Sequence, residues 1–183
     1  MSWKVESEFD HNGLKCVVIF TEMGHRCGYV GVEEDHPLYK VGYSDKSESL
    51  KKEEMNDITM DKAGIGQMLQ AMMGGYENES LSPEMFFEVH GGITYAGGGN
   101  DSHYPIDSDL WWFGYDTAHY GDGKDLLQAL EYELITPERY EQQMDLERQF
   151  RFSDEPVRSL EYCESECKNL ANQLSEIQGD HHA

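Results

Sequence analysis

The chain has 183 residues, enough for one ordinary domain, and 38% of them are hydrophobic, with three Trp, 11 Tyr and seven Phe. That composition excludes wholesale disorder. Asp and Glu number 36 against 14 Lys and Arg, a formal charge of -22, so direct nucleic-acid binding is not expected. No apolar run of about eighteen residues is present, and the opening MSWKVESEFD lacks the apolar centre of a secretion signal. A cytoplasmic protein with no membrane partner is expected, with Cys16, Cys27, Cys163 and Cys167 reduced.

Taken in chain order, Leu14 to Phe20 and Gly28 to Val32 read as two apolar, β-branched strands joined by a polar loop. Pro37 then carries the chain out of the sheet. Residues 43–61 have the composition of an exposed loop or insertion. Asp61 is placed to cap a helix over Lys62 to Met73, where Ile65, Met68, Leu69 and Met72 recur at helical spacing before Gly74-Gly75. Met85 to His90 reads as a buried strand, broken by Gly91-Gly92 before Ile93-Thr94-Tyr95 resumes it. A flexible loop over Gly97 to Asp101 follows. Leu110 to Asp116 is the third strong strand, in which Trp111 and Trp112 point to opposite faces.

The rest reads as helical. A short helix starts at Asp125, carries Leu126, Leu127, Leu130 and Leu134, and closes near Thr136-Pro137. A polar helix spans Pro137 to Phe152. From Pro156, at a helix amino terminus, Val157, Leu160, Cys163, Cys167, Leu170, Ala171, Leu174 and Ile177 make one apolar stripe, ahead of a polar tail over residues 179–183. The expected fold is one α+β domain over residues 1–183: a mainly antiparallel sheet covered by helices, with a long C-terminal amphipathic helix. The same stripe would also suit a homo-oligomer. Cys163 and Cys167, four apart, read as buried small hydrophobes, with half a metal site as the alternative.

The chemistry is concentrated between Ala63 and Gly123, a stretch with no Lys or Arg that holds His90, Asp101, His103, Trp111, Trp112, Asp116, His119 and Asp122. A site built there needs protonated histidine, a metal, or a cation brought from elsewhere in the chain. In one reading the strand end and the Asp116 to Asp122 turn form a ligand pocket without a cofactor. Its residues are His90, Gly91, Gly92, Thr94, Tyr95, Trp112, Asp116, His119 and Asp122, with Arg26 and His36 brought to it. The aromatic rings would face a nucleobase, and the amides of Gly91-Gly92 or Gly97-Gly98-Gly99 would nest a phosphate. In the other reading His90, Asp116, His119 and Asp122 ligate a divalent metal that activates water for hydrolysis. A third option is that Asp116 orients His119 and both only brace a loop. Walker, Rossmann and serine-elbow patterns are absent from the sequence.

Three motifs resemble a family of small proteins encoded by tailed bacteriophages and prophages. They are Gly28-Tyr29-Val30-Gly31-Val32 with His36-Pro37 downstream, His90-Gly91-Gly92-Ile93-Thr94-Tyr95, and Trp111-Trp112-Phe113-Gly114-Tyr115-Asp116-Thr117-Ala118-His119 followed by Gly121-Asp122. The terminal helix around Glu161 to Leu174 is also similar to that family. Tyr115 and Thr117 stand where the family commonly has Phe and Cys, which argues against a cysteine nucleophile. The resemblance implies a phage context, in an infected bacterial host cell, rather than an activity. Counter-defence is the function it suggests: sequestering a nucleotide-derived immune signal, degrading one, or blocking a host defence protein as an acidic, DNA-mimicking inhibitor.

Overall fold

The structure, a computed structural model, describes residues 2–51, 80–150 and 155–177. Strands β1 (Trp3–His11) and β2 (Leu14–Thr21) form a hairpin across Asn12 and Gly13, both at positive φ. An Asn-Gly pair suits such a two-residue connection because both residues tolerate that conformation. β1 was absent from the sequence reading. Within it Val5 faces Ile19 and Ser7 faces Val18, so Glu6 is the extra residue of a bulge that turns its carboxylate toward Arg26. β3 (Arg26–Val32) pairs with β2. A side excursion follows, in which β4 (Ser47–Lys51) pairs with β5 (Ser80–Leu81). The 43–61 segment read as a loop therefore contains a strand. The helix expected over Lys62 to Met73, its Gly74-Gly75 stop and the 179–183 tail lie outside the described residues.

Helix α1 (Pro83–Phe86) takes in the first two residues of the strand expected over Met85 to His90. Pro83 sits in the first turn, where its missing N–H costs nothing, and Glu84 favours the same helix end. β6 (Tyr95–Gly98) begins at Tyr95 rather than Ile93 and runs into a short helix, α2 (Gly99–Ser102), so the 97–101 segment is part strand and part helix rather than a loop. β7 (Trp111–Asp116) matches the expected third strand. Helices α3 (Leu126–Glu131), α4 (Pro137–Phe150) and α5 (Leu160–Ser175) follow among the described residues. α5 starts at Leu160 and not at Pro156, because the Ser159 hydroxyl accepts from the Tyr162 amide and caps the helix there.

The main sheet has the order β1-β2-β3-β7-β6, antiparallel throughout. With its helices this is the expected α+β architecture. α5 lies across one face, where Cys163, Cys167, Leu170, Ala171 and Leu174 bury against Cys16, Val18, Val30, Val32, Phe113 and Tyr115. The opposite face carries Val17, Ile19, Cys27, Tyr29 and Trp112 under Trp3, Tyr95, Tyr104, Ile106 and Leu110. A third cluster, around Phe20, Ala129 and Ile135, seats α3. All four cysteines are free and buried. Among the described residues no helix is long and apolar enough to cross a membrane.

Candidate functional site

The His90 site is positioned by an unusual docking. After α1 the chain from Phe87 to His90 lies along α5, and helix side chains take the place of a neighbouring strand. Gln173 accepts from the Glu88 amide at 2.9 Å, while Asn169 and Gln173 donate to the Glu88 carbonyl at 2.8 and 2.9 Å. Glu166 accepts from the His90 amide at 2.9 Å. Buried backbone groups must be paired, and here a polar stripe at helical spacing pairs them. Phe87 and Val89 point into the core as a strand's alternate residues would. A turn closed by Gly92 N–H to the Val89 carbonyl at 2.8 Å, with Gly91 at φ 68°, then presents the His90 ring.

The second half of the site follows β7. Thr117 is tied to the Arg26 carbonyl through both its amide and its hydroxyl, and a turn from His119 to Asp122 is closed at 3.0 Å with Gly121 at φ 95°. The Gly123 amide donates to the Pro156 carbonyl, which brings this turn against the segment entering α5. Gly91 and His119 then meet: a Cβ on Gly91 would stand 2.0 Å from His119 Cε1, so only glycine lets the imidazole lie on that turn.

Asp122 is the hub. Its side chain is 1% exposed; Oδ1 accepts from Arg158 Nε at 2.7 Å, and Oδ2 meets His90 Nε2 at 2.8 Å and the His119 amide at 3.2 Å. His90 Nδ1 is 2.9 Å from Tyr162 Oη, so both ring nitrogens are engaged. His119 is about a third exposed, and its Nδ1 lies 3.7 Å from Asp116 Oδ1 and 3.8 Å from Asp122 Oδ2. That nitrogen is buried without a hydrogen-bond partner among the described residues. Asp116 is held by Thr94 Oγ1 at 2.8 Å and by the Ala118 amide at 3.0 Å.

Burial pushes the Asp122 carboxyl upward, but hydrogen bonds from Arg158 and His90 outweigh it and hold the group below the usual aspartate range. The same pair raises Arg158 further, through its bond to Asp122. Burial, followed by the nearby Glu166 charge, pushes Tyr162 up to about 12. His25, behind the turn, is lowered by burial and by Lys124 against opposing pulls from Asp116 and Asp122.

The expected site is therefore partly assembled. His90, Gly91, Gly92, Asp116, His119 and Asp122 come together, and Thr94 joins them through Asp116. Trp112 and Tyr95 do not, because both lie on the far face of the sheet: Trp112 is fully buried with its indole N–H on Ser108, and Tyr95 packs on Tyr29 and Tyr104. Arg26 does not reach the site either, since its guanidinium is spent on Glu6 and on the Arg158 carbonyl. His36 bonds the Leu174 carbonyl near the carboxyl end of α5, about 12 Å along the helix from Glu166.

In each expected amide nest one glycine amide is already engaged. Gly92 N–H is used within its own turn, and Gly99 N–H donates to Leu110. The sequence reading missed Arg158, Tyr162, Glu166 and His25. Arg158 is the cation brought from elsewhere that the lysine- and arginine-free stretch requires.

Comparison with protein-family models, with curated proteins and with solved structures returned no match for this chain.

Proposed function

We propose that the chain binds a small, phosphate-bearing, nucleotide-derived molecule at the rim formed by His119, Tyr120 and Arg158, and holds it without turnover. One observation carries this reading. The buried Asp122 carboxylate fixes His90, the His119 backbone and Arg158 in one place, so an imidazole and a guanidinium, each about a third exposed, stand at the same carboxylate in a strongly acidic chain. Arg158 spends only Nε on Asp122, and among the described residues its two Nη groups have no hydrogen-bond partner and are available to phosphate oxygens. Tyr120, next to His119, is fully exposed and supplies the aromatic surface that Trp112 and Tyr95 do not.

The phage context implied by the motif resemblance makes an immune signalling nucleotide the ligand class, and holding it would counter host defence. Calorimetry with cyclic dinucleotides and ADP-ribose derivatives tests the reading. Stoichiometric binding that is lost in Arg158→Ala, with the ligand recovered unaltered, is the expected result, and no heat with any of these compounds ends the proposal.

A metal-dependent hydrolase acting on such a signal is the second reading. It is favoured by the donor atoms of His90, His119 and Asp122, which lie within 4.8 Å of one another. Metal-dependent product formation, abolished in His119→Ala, would replace the binder with the hydrolase. The reading as an acidic inhibitor of a host factor draws on net charge alone.

A further inference from the structure

His119 Nδ1 is buried between two carboxylates yet bonded to neither. Buried polar atoms without partners are rare in folded chains, and such an atom within a His/His/Asp cluster marks a place for a cation. We propose that His90 Nε2, an imidazole nitrogen of His119 and Asp122 Oδ2 hold one divalent transition-metal ion of the zinc class. This inference shares residues with the proposed function but does not depend on its ligand.

The spacing suits such an ion. Bonds of about 2.0–2.1 Å in a tetrahedral site put ligand atoms about 3.2–3.5 Å apart. The His90–Asp122 and His119–Asp122 separations, 2.8 and 3.8 Å, fall on either side of that range. All three donors lie within 4.8 Å of one another, so a rotation of the partly exposed His119 ring closes the set. The groups behind the donors are arranged as metal ligands require. Tyr162 Oη stands at His90 Nδ1, ready to accept its N–H and leave Nε2 as the lone-pair nitrogen. Arg158 holds the other oxygen of Asp122 and so aims Oδ2.

On binding, Nε2 gives up any proton it carries to solvent, the ring keeps its proton on Nδ1 toward Tyr162 Oη, and the ion replaces the contact with Asp122. Asp116, the fourth member of the set offered as an alternative from the sequence, stands outside these three: its oxygens accept from Thr94 Oγ1 and the Ala118 amide, and Oδ1 lies 3.7 Å from His119 Nδ1. Three protein ligands leave a fourth position open.

The test uses the full chain carrying His181→Ala and His182→Ala, so that the terminal histidines do not compete, treated with chelator and titrated with Zn²⁺ or Co²⁺ alone. One ion per chain is expected, with a Co²⁺ visible spectrum of low-coordinate nitrogen and oxygen ligation and no thiolate charge-transfer band. His119→Gln should weaken binding at least about 100-fold, and Tyr162→Phe by about 10- to 100-fold, both with unchanged far-UV circular dichroism. No stoichiometric uptake, uptake unaltered in His119→Gln, or a thiolate band would each overturn the proposal. A chain that takes up the ion but no nucleotide keeps this site and loses the proposed function. One that binds nucleotide but takes up no stoichiometric ion does the reverse.

Discussion

Two arginines, Arg26 and Arg158, each hold a nearly buried carboxylate, and a hydrogen bond from Arg26 Nη1 to the Arg158 carbonyl joins them. Their surroundings differ. Arg26 uses all three guanidinium nitrogens, two on Glu6, and its partner also accepts from Tyr132 Oη. Arg158 uses one nitrogen, stacks over Tyr162, and faces a partner that also serves two histidines. The closed pair is a structural clamp between the β1 bulge, β3 and the entry to α5. The open pair keeps hydrogen-bonding capacity at the surface, and unspent capacity beside a buried carboxylate is what a binding site requires.

Substitutions that treat the two pairs alike should break this contrast if it is wrong. Arg26→Met leaves the buried Glu6 charge without its cation, with only the neutral Tyr132 hydroxyl among its described donors, and should cost about 3–5 kcal/mol in chemical denaturation. Arg158→Met should cost only about 1–3 kcal/mol, since Asp122 keeps His90 and the His119 amide, while ligand binding disappears. Equal losses in the two variants would remove the distinction between clamp and site.

Trp112→Phe, on the far face, should cost about 1–3 kcal/mol and leave ligand and metal affinity unchanged. A drop in affinity would mean that the two faces are coupled. Gly91→Ala forces a side chain onto a positive φ and into the His119 ring, and should cost about 1–2 kcal/mol. It should also shift the His119 ring resonances in NMR spectra, and unshifted resonances would mean that the ring does not rest on that turn.

The smallest effect concerns pH. His25 is lowered from 6.5, so the unfolded chain takes up its proton first as pH falls. Stability should be full above about pH 6.5 and decline below it. His25→Asn should flatten that decline, as read from denaturation midpoints between about pH 7.5 and 5.5. A decline of equal slope in the variant would place its origin elsewhere.

Where side-chain pattern and backbone partner agreed, the fold was legible in the sequence. The apolar runs of β2, β3 and β7 and the stripe of α5 were readable because each buries a face against its neighbour. β1 was missed because its charged residues hid the period of two, although Asn12-Gly13 signalled a hairpin. The Met85 to His90 segment misled for a physical reason. Its alternate burial is that of a strand, but the hydrogen-bonding partner is a set of helix side chains, and no periodicity announces that.

His90, Asp116, His119 and Asp122 were legible as a local cluster. Arg158, Tyr162 and Glu166 were not, because the polar stripe of α5 runs beside an apolar one that accounts for the helix by itself: Tyr162, Glu166, Asn169 and Gln173 recur at helical spacing. The side of the sheet taken by Trp112 follows from tertiary pairing, which adjacency to Trp111 alone does not determine.

The docking of Phe87 to His90 onto α5 makes the site conditional. The imidazole of His90 owes its place to Glu166, Asn169 and Gln173, and Asp122 is steadied by Arg158 at the threshold of the same helix. Peeling the terminal helix away would therefore dissolve the constellation in one step. Occupancy of the site and attachment of that helix are thermodynamically linked, so whatever grips the one must tighten the other.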